Sequence, residues 1–174
     1  MIASALRPLA AIALVGLLGS IDGCLQSGEP SVPLQPGEPA ASAEGTGTVT
    51  GITDGDTLRL DVDGTELRVR LVGIDTPEVY PEVECFGPEA EDALATFAPR
   101  GSTLSYAYDR EQRDQYDREL MYLFTEDGTF INYELVAQGY AEALVVEPND
   151  LYYDDFVAAE REAQSQGLGQ WGQC

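Results

Sequence analysis

The chain has 174 residues and a formal net charge of -22, with nine basic residues against 31 acidic ones. Proteins that read nucleic acid are ordinarily basic, so this charge argues against a polyanion substrate unless salt is high or the site is locally positive. Histidine is absent, which removes the commonest general base and every Ser-His-Asp or Cys-His arrangement.

All the basic residues are arginine and none is lysine. That composition resembles proteins of extreme halophiles, which work where the Debye length has fallen to about 3 Å and self-repulsion is screened. Residues 1–23 read as an export signal. Arg7 precedes an apolar run from Leu9 to Leu18, shorter than the roughly twenty residues a bilayer span needs but suited to secretion. Ile21-Asp22-Gly23-Cys24 resembles a lipoprotein processing box in which Cys24 is lipidated. Asp22 fits that box poorly, and ordinary cleavage or an uncleaved anchor are the alternatives. The expected location is the cell surface, held by lipid at Cys24; release as a secreted protein is the second possibility. Residues 24–46 are rich in Pro, Gly, Ser and Glu and form a tether that cannot bury enough apolar surface to fold. Residues 47–174 are left as one domain, long enough to bury about two-thirds of its unfolded surface.

Within that domain, residues 48–53 read as a strand. Leu58, Leu60 and Val62 alternate with Arg59 and Asp61 in a second strand, and Asp63-Gly64 marks a hairpin. Leu67, Val69 and Leu71 alternate with Arg68 and Arg70 in a third, placing both arginines opposite the apolar set. Gly87-Pro88 opens a helix carrying Ala90, Ala93, Leu94 and Phe97, and Pro99 stops it. Residues 104–108 and 120–124 are further strands, the latter ending at the turn Glu126-Asp127-Gly128. A short helix spans about 132–138 and ends at Gly139. Asn149 or Asp150 caps a last helix with the stripe Tyr152, Phe156, Ala159 and Ala163. About five strands and three helices predict a mainly β, α+β domain, a small antiparallel barrel with packed helices. With Cys24 lipidated, Cys85 and Cys174 remain as an even pair in an oxidising compartment; two free thiols are the alternative.

Two acidic runs carry the chemistry. Asp54-Gly55-Asp56-Thr57 precedes the second strand, and Arg70-Leu71-Val72-Gly73-Ile74-Asp75-Thr76-Pro77-Glu78 closes the third. Folding the hairpin brings residue 56 near residues 72–75. Asp56, Asp75 and Glu78 then converge beside Arg70, the set needed by a hard cation and a phosphate. Taken alone, Asp54-Gly55-Asp56 is no more than a turn.

These two runs, followed by Cys85-Phe86-Gly87-Pro88-Glu89-Ala90, Asp114-Gln115-Tyr116-Asp117-Arg118, Asn132 through Gly139 and the late Trp171, resemble the staphylococcal-type thermonucleases over essentially all of 47–174. The resemblance implies a five-stranded OB barrel with three helices that hydrolyses DNA and RNA phosphodiesters with one Ca2+ ion. By position, it implies Asp56, Asp75 and the Thr76 carbonyl as calcium ligands, with waters completing the shell and Asp54 supporting them from behind. Glu78 would position or deprotonate the attacking water. Arg70 and Arg118 would clamp the phosphate, for which a planar, permanently charged fork is suited. Tyr116 and Arg113 would contact substrate. Asp117 departs from the glycine common there; aspartate tolerates left-handed backbone, but its charge beside Arg118 would weaken the clamp. Residues 143–148 lack the family's stacking tyrosines, which implies weak base contact. The expected activity is that of a monomeric phosphodiesterase with DNA or RNA as partner and no membrane contact beyond the lipid. The alternative is a catalytically weak OB-fold module that binds nucleic acid or protein; retention of the acidic and arginine residues favours the enzyme.

Overall fold

A computed structural model describes residues 43–174. The expected signal segment 1–23, the lipid site at Cys24 and all but the last residues of the tether lie outside that range. In chain order the elements are β1 (Gly45–Ile52), β2 (Thr57–Val62), β3 (Thr65–Leu71), β4 (Ile74–Asp75), α1 (Gly87–Phe97), β5 (Thr103–Arg113), β6 (Glu119–Phe124), α2 (Ile131–Ala137), β7 (Glu142–Ala143), α3 (Tyr153–Gln166) and α4 (Gln170–Gln173). β1 therefore takes in Gly45 and Thr46 from the end of the tether.

Five strands close a barrel in the order β1-β2-β3-β6-β5, an α+β arrangement of the OB type. The β2–β3 hairpin turns through Asp63 and Gly64, both at positive φ (52° and 83°), as a tight primed turn requires. The barrel is not wholly antiparallel: β3 and β6 run parallel, with Val69 opposite Glu119, Arg70 opposite Leu120 and Leu71 opposite Met121. Val49, Leu58, Leu60, Val69, Leu71, Leu104, Met121 and Leu123 are buried in one apolar core. Tyr122 points to the opposite face of β6 from Met121 and Leu123. There it meets Tyr152 at 4.7 Å and Phe130 at 5.9 Å between ring centroids, edge to face. Phe156 of α3 joins the same group at 6.4 Å, so β6 is buried on both sides.

Asn132 bolts α2 to the barrel. Fully buried, it accepts from the Leu123 N–H at 3.0 Å and donates to the Val72 carbonyl at 2.9 Å. Two expectations about element ends are corrected. β5 continues through Asp109-Arg110-Glu111-Gln112-Arg113, beyond the apolar residues that mark it. α3 begins after Tyr152, with no side-chain cap. The causes are linked: Asn149 is spent on β5, accepting from the Glu111 N–H at 2.8 Å and donating to its carbonyl at 2.9 Å. Asp150 is likewise paired with Arg110 at 2.8 Å. No alternation announced the two-residue pairing of β4 with β7 or the single turn of α4, which packs through Gln170 N–H on the Gly139 carbonyl at 3.0 Å.

Candidate active site

The hairpin register places Asp56 against the chain that leaves β3. Thr57 pairs with Arg70, and the Leu71 N–H donates to the Asp56 carbonyl at 2.8 Å. The Thr76 N–H and Oγ1 both donate to Asp56 Oδ2 at 3.2 Å. Gly55 permits this approach, because a Cβ there would stand 2.7 Å from Thr76 Oγ1 and 2.8 Å from the Ala90 Cβ. Asp54 folds back over the turn and accepts from the Asp56 N–H at 3.1 Å.

Arg70 reaches into this group. Strand alternation puts it beside Arg68, yet its side chain is only 12% exposed, because the β3–β4 turn wraps over it. One terminal nitrogen donates to the Leu71 and Ile74 carbonyls at 2.6 and 2.7 Å. Nε meets Asp56 Oδ1 at 3.0 Å and the other terminal nitrogen meets Asp75 Oδ1 at 2.7 Å. A single guanidinium thus serves both carboxylates. Burial pushes the pKa of Asp56 up to about 6, with Arg70 opposing and Asp54 adding to the rise. Glu78 is also held above the ordinary carboxylate value, by burial first and then by Asp54, Asp75 and Glu84. Four acidic side chains around one arginine leave a surplus of negative charge.

Asp56, Asp75 and the Thr76 main chain present hard oxygens suited to a divalent cation. Among the described residues no three acidic or cysteine side chains are grouped to hold a metal by themselves, so two carboxylates, a carbonyl and water are what this donor set can offer. The charge surplus at Asp54, Asp56, Asp75 and Glu78 fits a cation there.

Arg118 arrives from the other side of the parallel seam. The turn between β5 and β6 is built by Asp114, whose Oδ1 accepts from the Tyr116 and Arg118 N–H groups at 2.9 and 3.0 Å. Its Oδ2 holds Arg118 Nε at 2.7 Å. Burial raises the Asp114 pKa, but the bonds from Arg118 and Tyr116 outweigh it and hold it below the usual value. Asp117 takes the left-handed conformation (φ 59°). Its carboxylate pairs with Arg113 at 3.1 Å, which draws it toward Arg113 in place of the Arg118 contact expected. Arg113 is further engaged by Glu119 at 2.7 Å. The Arg118 guanidinium lies 5.7 Å from the exposed Tyr116 ring.

Arg70, Arg118 and Tyr116 line one groove of about 230 Å³, walled also by Leu144 and Val146. Arg113 is not among its lining residues. Asp75 and Thr76 instead face a polar recess of about 460 Å³ shared with Glu84, Cys85 and Glu142. Arg70 stands between the two, bonded to Asp75 and open to the groove. Two participants carried no expectation. Asp114 was detectable as an acid four residues before Arg118. Glu84, whose carboxylate accepts from the Glu78 N–H at 3.0 Å, had no such marker.

Residues 68–173 match the model of the staphylococcal nuclease homologue family. The chain belongs to the staphylococcal nuclease family. Within it, the chain is 37% identical to the thermonuclease of Staphylococcus intermedius over 126 residues, 71% of this chain and 74% of that one. It is 34% identical to the thermonuclease of Staphylococcus hyicus over 134 residues, covering 74% and 76% of the two chains. Endonuclease YhcR of Bacillus subtilis shares 35% identity over 151 residues, 80% of this chain but only 12% of that much longer protein. Arg70, Asp75, Glu78 and Arg118 fall inside the family match; Asp54 and Asp56 precede it and join the site through the hairpin.

Proposed function

We propose that this domain is a calcium-dependent nuclease that hydrolyses phosphodiester bonds of DNA or RNA at the cell surface. One observation carries the reading: Arg70 and Arg118 line a single groove while Arg70 is also bonded to the Asp56–Asp75 carboxylates. A phosphate in that groove meets two guanidinium groups next to a cation-binding set of oxygens. The thermonuclease relatives point the same way.

Asp56, Asp75 and the Thr76 carbonyl would hold the calcium ion, with water in the remaining positions. When bound, the ion neutralises phosphate charge as a Lewis acid. Arg70 and Arg118 donate to the phosphate oxygens, where fixed donors stabilise the charge that builds as the bond breaks. The pairing of Arg70 with Asp75 is the one to exchange for phosphate, since Asp75 is 55% exposed. Glu78 accepts a hydrogen bond from the attacking water and takes up its proton; a carboxylate held above its ordinary pKa suits that task. Tyr116, two-thirds exposed at the groove, offers a face for a base, and Leu144 and Val146 replace aromatic stacking with aliphatic contact. We further propose that the chain acts as a monomer, exported and anchored at Cys24.

The test is cleavage of single-stranded DNA and of RNA by a metal-free preparation at molar salt, with calcium added and then removed by chelator. Activity is expected only with calcium, and full activity in excess chelator would sink the metal assignment. A protein that binds nucleic acid under both conditions and cleaves under neither would be the OB-fold binding module. Replacing Cys24 by Ser should release the protein from membranes into the medium if the lipid is the anchor.

A further inference from the structure

The segment that carries Glu78 has an unusual mechanical arrangement. Tyr80 and Val83 project into solvent, 81% and 68% exposed, so no core orders the middle of this loop. Order comes from its ends. The Glu78 N–H donates to Glu84 Oε2 at 3.0 Å, and the Glu84 N–H donates back to the Glu78 carbonyl at 2.9 Å. Both polar groups of the Glu78 main chain are thereby fixed by one residue. The Gly87 N–H in turn donates to the Glu84 carbonyl at 3.1 Å. Gly87 itself lies so near that a Cβ would be 2.5 Å from the Glu78 carbonyl oxygen.

Glu84 is exposed and cannot hold itself. The next residue, Cys85, is bonded to Cys174. Cys174 follows α4, whose Gln170 N–H is fastened to the Gly139 carbonyl at the end of α2 at 3.0 Å. α2 is bolted to the barrel by Asn132. A continuous series of bonds therefore runs from the barrel through α2, α4 and the disulfide to Glu84 and on to Glu78.

We propose that Glu84 is a positioning residue for Glu78, and that the Cys85–Cys174 disulfide holds Glu84 in that position. This rests on the reading of Glu78 as the acceptor for the attacking water. The demand is geometric: a displacement of about 1 Å in a reacting group can cost on the order of a hundredfold in rate. A loop with no core of its own meets that demand only if its ends are tied. Glu84 acts here through its carboxyl oxygen as an acceptor, which separates this role from a purely electrostatic one.

The experiment compares Glu84→Ala, Glu84→Gln, the Cys85→Ser/Cys174→Ser double variant and Glu78→Gln, each cleaving a fluorogenic single-stranded DNA oligonucleotide at saturating calcium. Glu84→Ala should lose about tenfold in kcat with KM changed by less than about twofold, the pattern of a lost transition-state alignment. Glu84→Gln keeps an acceptor oxygen and should stay within about twofold of the parent. The double serine variant should show the same kcat loss, and adding Glu84→Ala to it should cost little more, because both act along one series of bonds. Hydrogen exchange at the Glu78 amide should quicken in Glu84→Ala while the barrel amides stay protected. Glu84→Gln as slow as Glu84→Ala would show that charge, not positioning, matters and would overturn the proposal. So would parental kcat in both Glu84→Ala and the double serine variant when Glu78→Gln is inactive. Parental kcat in Glu78→Gln would remove the underlying assignment of Glu78 instead. Because Glu84 is an exposed side chain, its two variants retain the fold and decide the matter even if loss of the disulfide unfolds the chain.

Discussion

Asp56 is nearly buried and shares its single guanidinium partner with a second carboxylate. Its folded pKa of about 6 stands above the ordinary 3.8, so the folded chain binds this proton more readily than the unfolded chain. The Asp56 contribution to stability is therefore greatest below about pH 4 and declines as pH rises through 6, a cost of about 3 kcal/mol at neutral pH in the metal-free protein. Asp56→Asn should raise the melting temperature of the calcium-free domain at pH 7, flatten that part of its pH profile and remove the stabilisation by calcium. A lower melting temperature at pH 7 would contradict the assignment. The two arginines should differ in a related way. Each truncation to Ala should cost about 3 to 4 kcal/mol of transition-state stabilisation. Arg70→Ala also strands a buried carboxylate and should cost about 3 to 5 kcal/mol of stability, whereas Arg118→Ala, at a partly exposed pair, should cost about 1 kcal/mol or less. Turnover and urea midpoints of the two variants read both quantities. The convergence of Asp56, Asp75 and Arg70 was legible because a hairpin with an Asp-Gly turn has one register. The burial of Arg70 was not, since alternation describes a strand and not the turn that folds over it.

At the scale of elements, apolar periodicity located each barrel strand, and proline and glycine located the ends of α1 and α2. It failed where polar side chains do the pairing. The charged half of β5 is held as strand by Asn149 and by Arg113 on Glu119, long-range contacts with no local pattern. For the same reason the last helix starts later than a cap-forming Asn149 would make it. Asn132 sits inside the apolar helix α2, yet it is the polar joint between that helix and two strands. Asn132→Ala should leave the Leu123 amide and the Val72 carbonyl buried without partners and cost about 2 to 4 kcal/mol, read from urea unfolding followed by circular dichroism. A loss under about 0.5 kcal/mol would mean that water or a neighbour replaces the amide.

Over the whole molecule, the charge of -22 sets two opposing salt effects. Salt weakens contacts between arginine and phosphate through counterion release. It also screens the repulsion among the protein's own carboxylates and between them and a polyanionic substrate. Among the described residues the ion pairs gather at Arg70, Arg110, Arg113 and Arg118, so most carboxylates elsewhere are left to repel. Screening should be the larger effect. Melting temperature and cleavage rate should both rise from about 0.1 M toward 1 M salt, as the Debye length falls from about 10 Å to 3 Å; a steady fall in both would rule this out. The parallel seam between β3 and β6 bears on how the molecule comes to exist at all. Arg70 lies on one side of that seam and Arg118 at the start of the other, and the chain between them must form α1 and β5 before the seam can close. Neither the early hairpin nor any other local piece contains both halves of the phosphate site. A nascent or partly folded chain is thus inert toward nucleic acid, and the ability to cut appears only with the last long-range closure of the barrel.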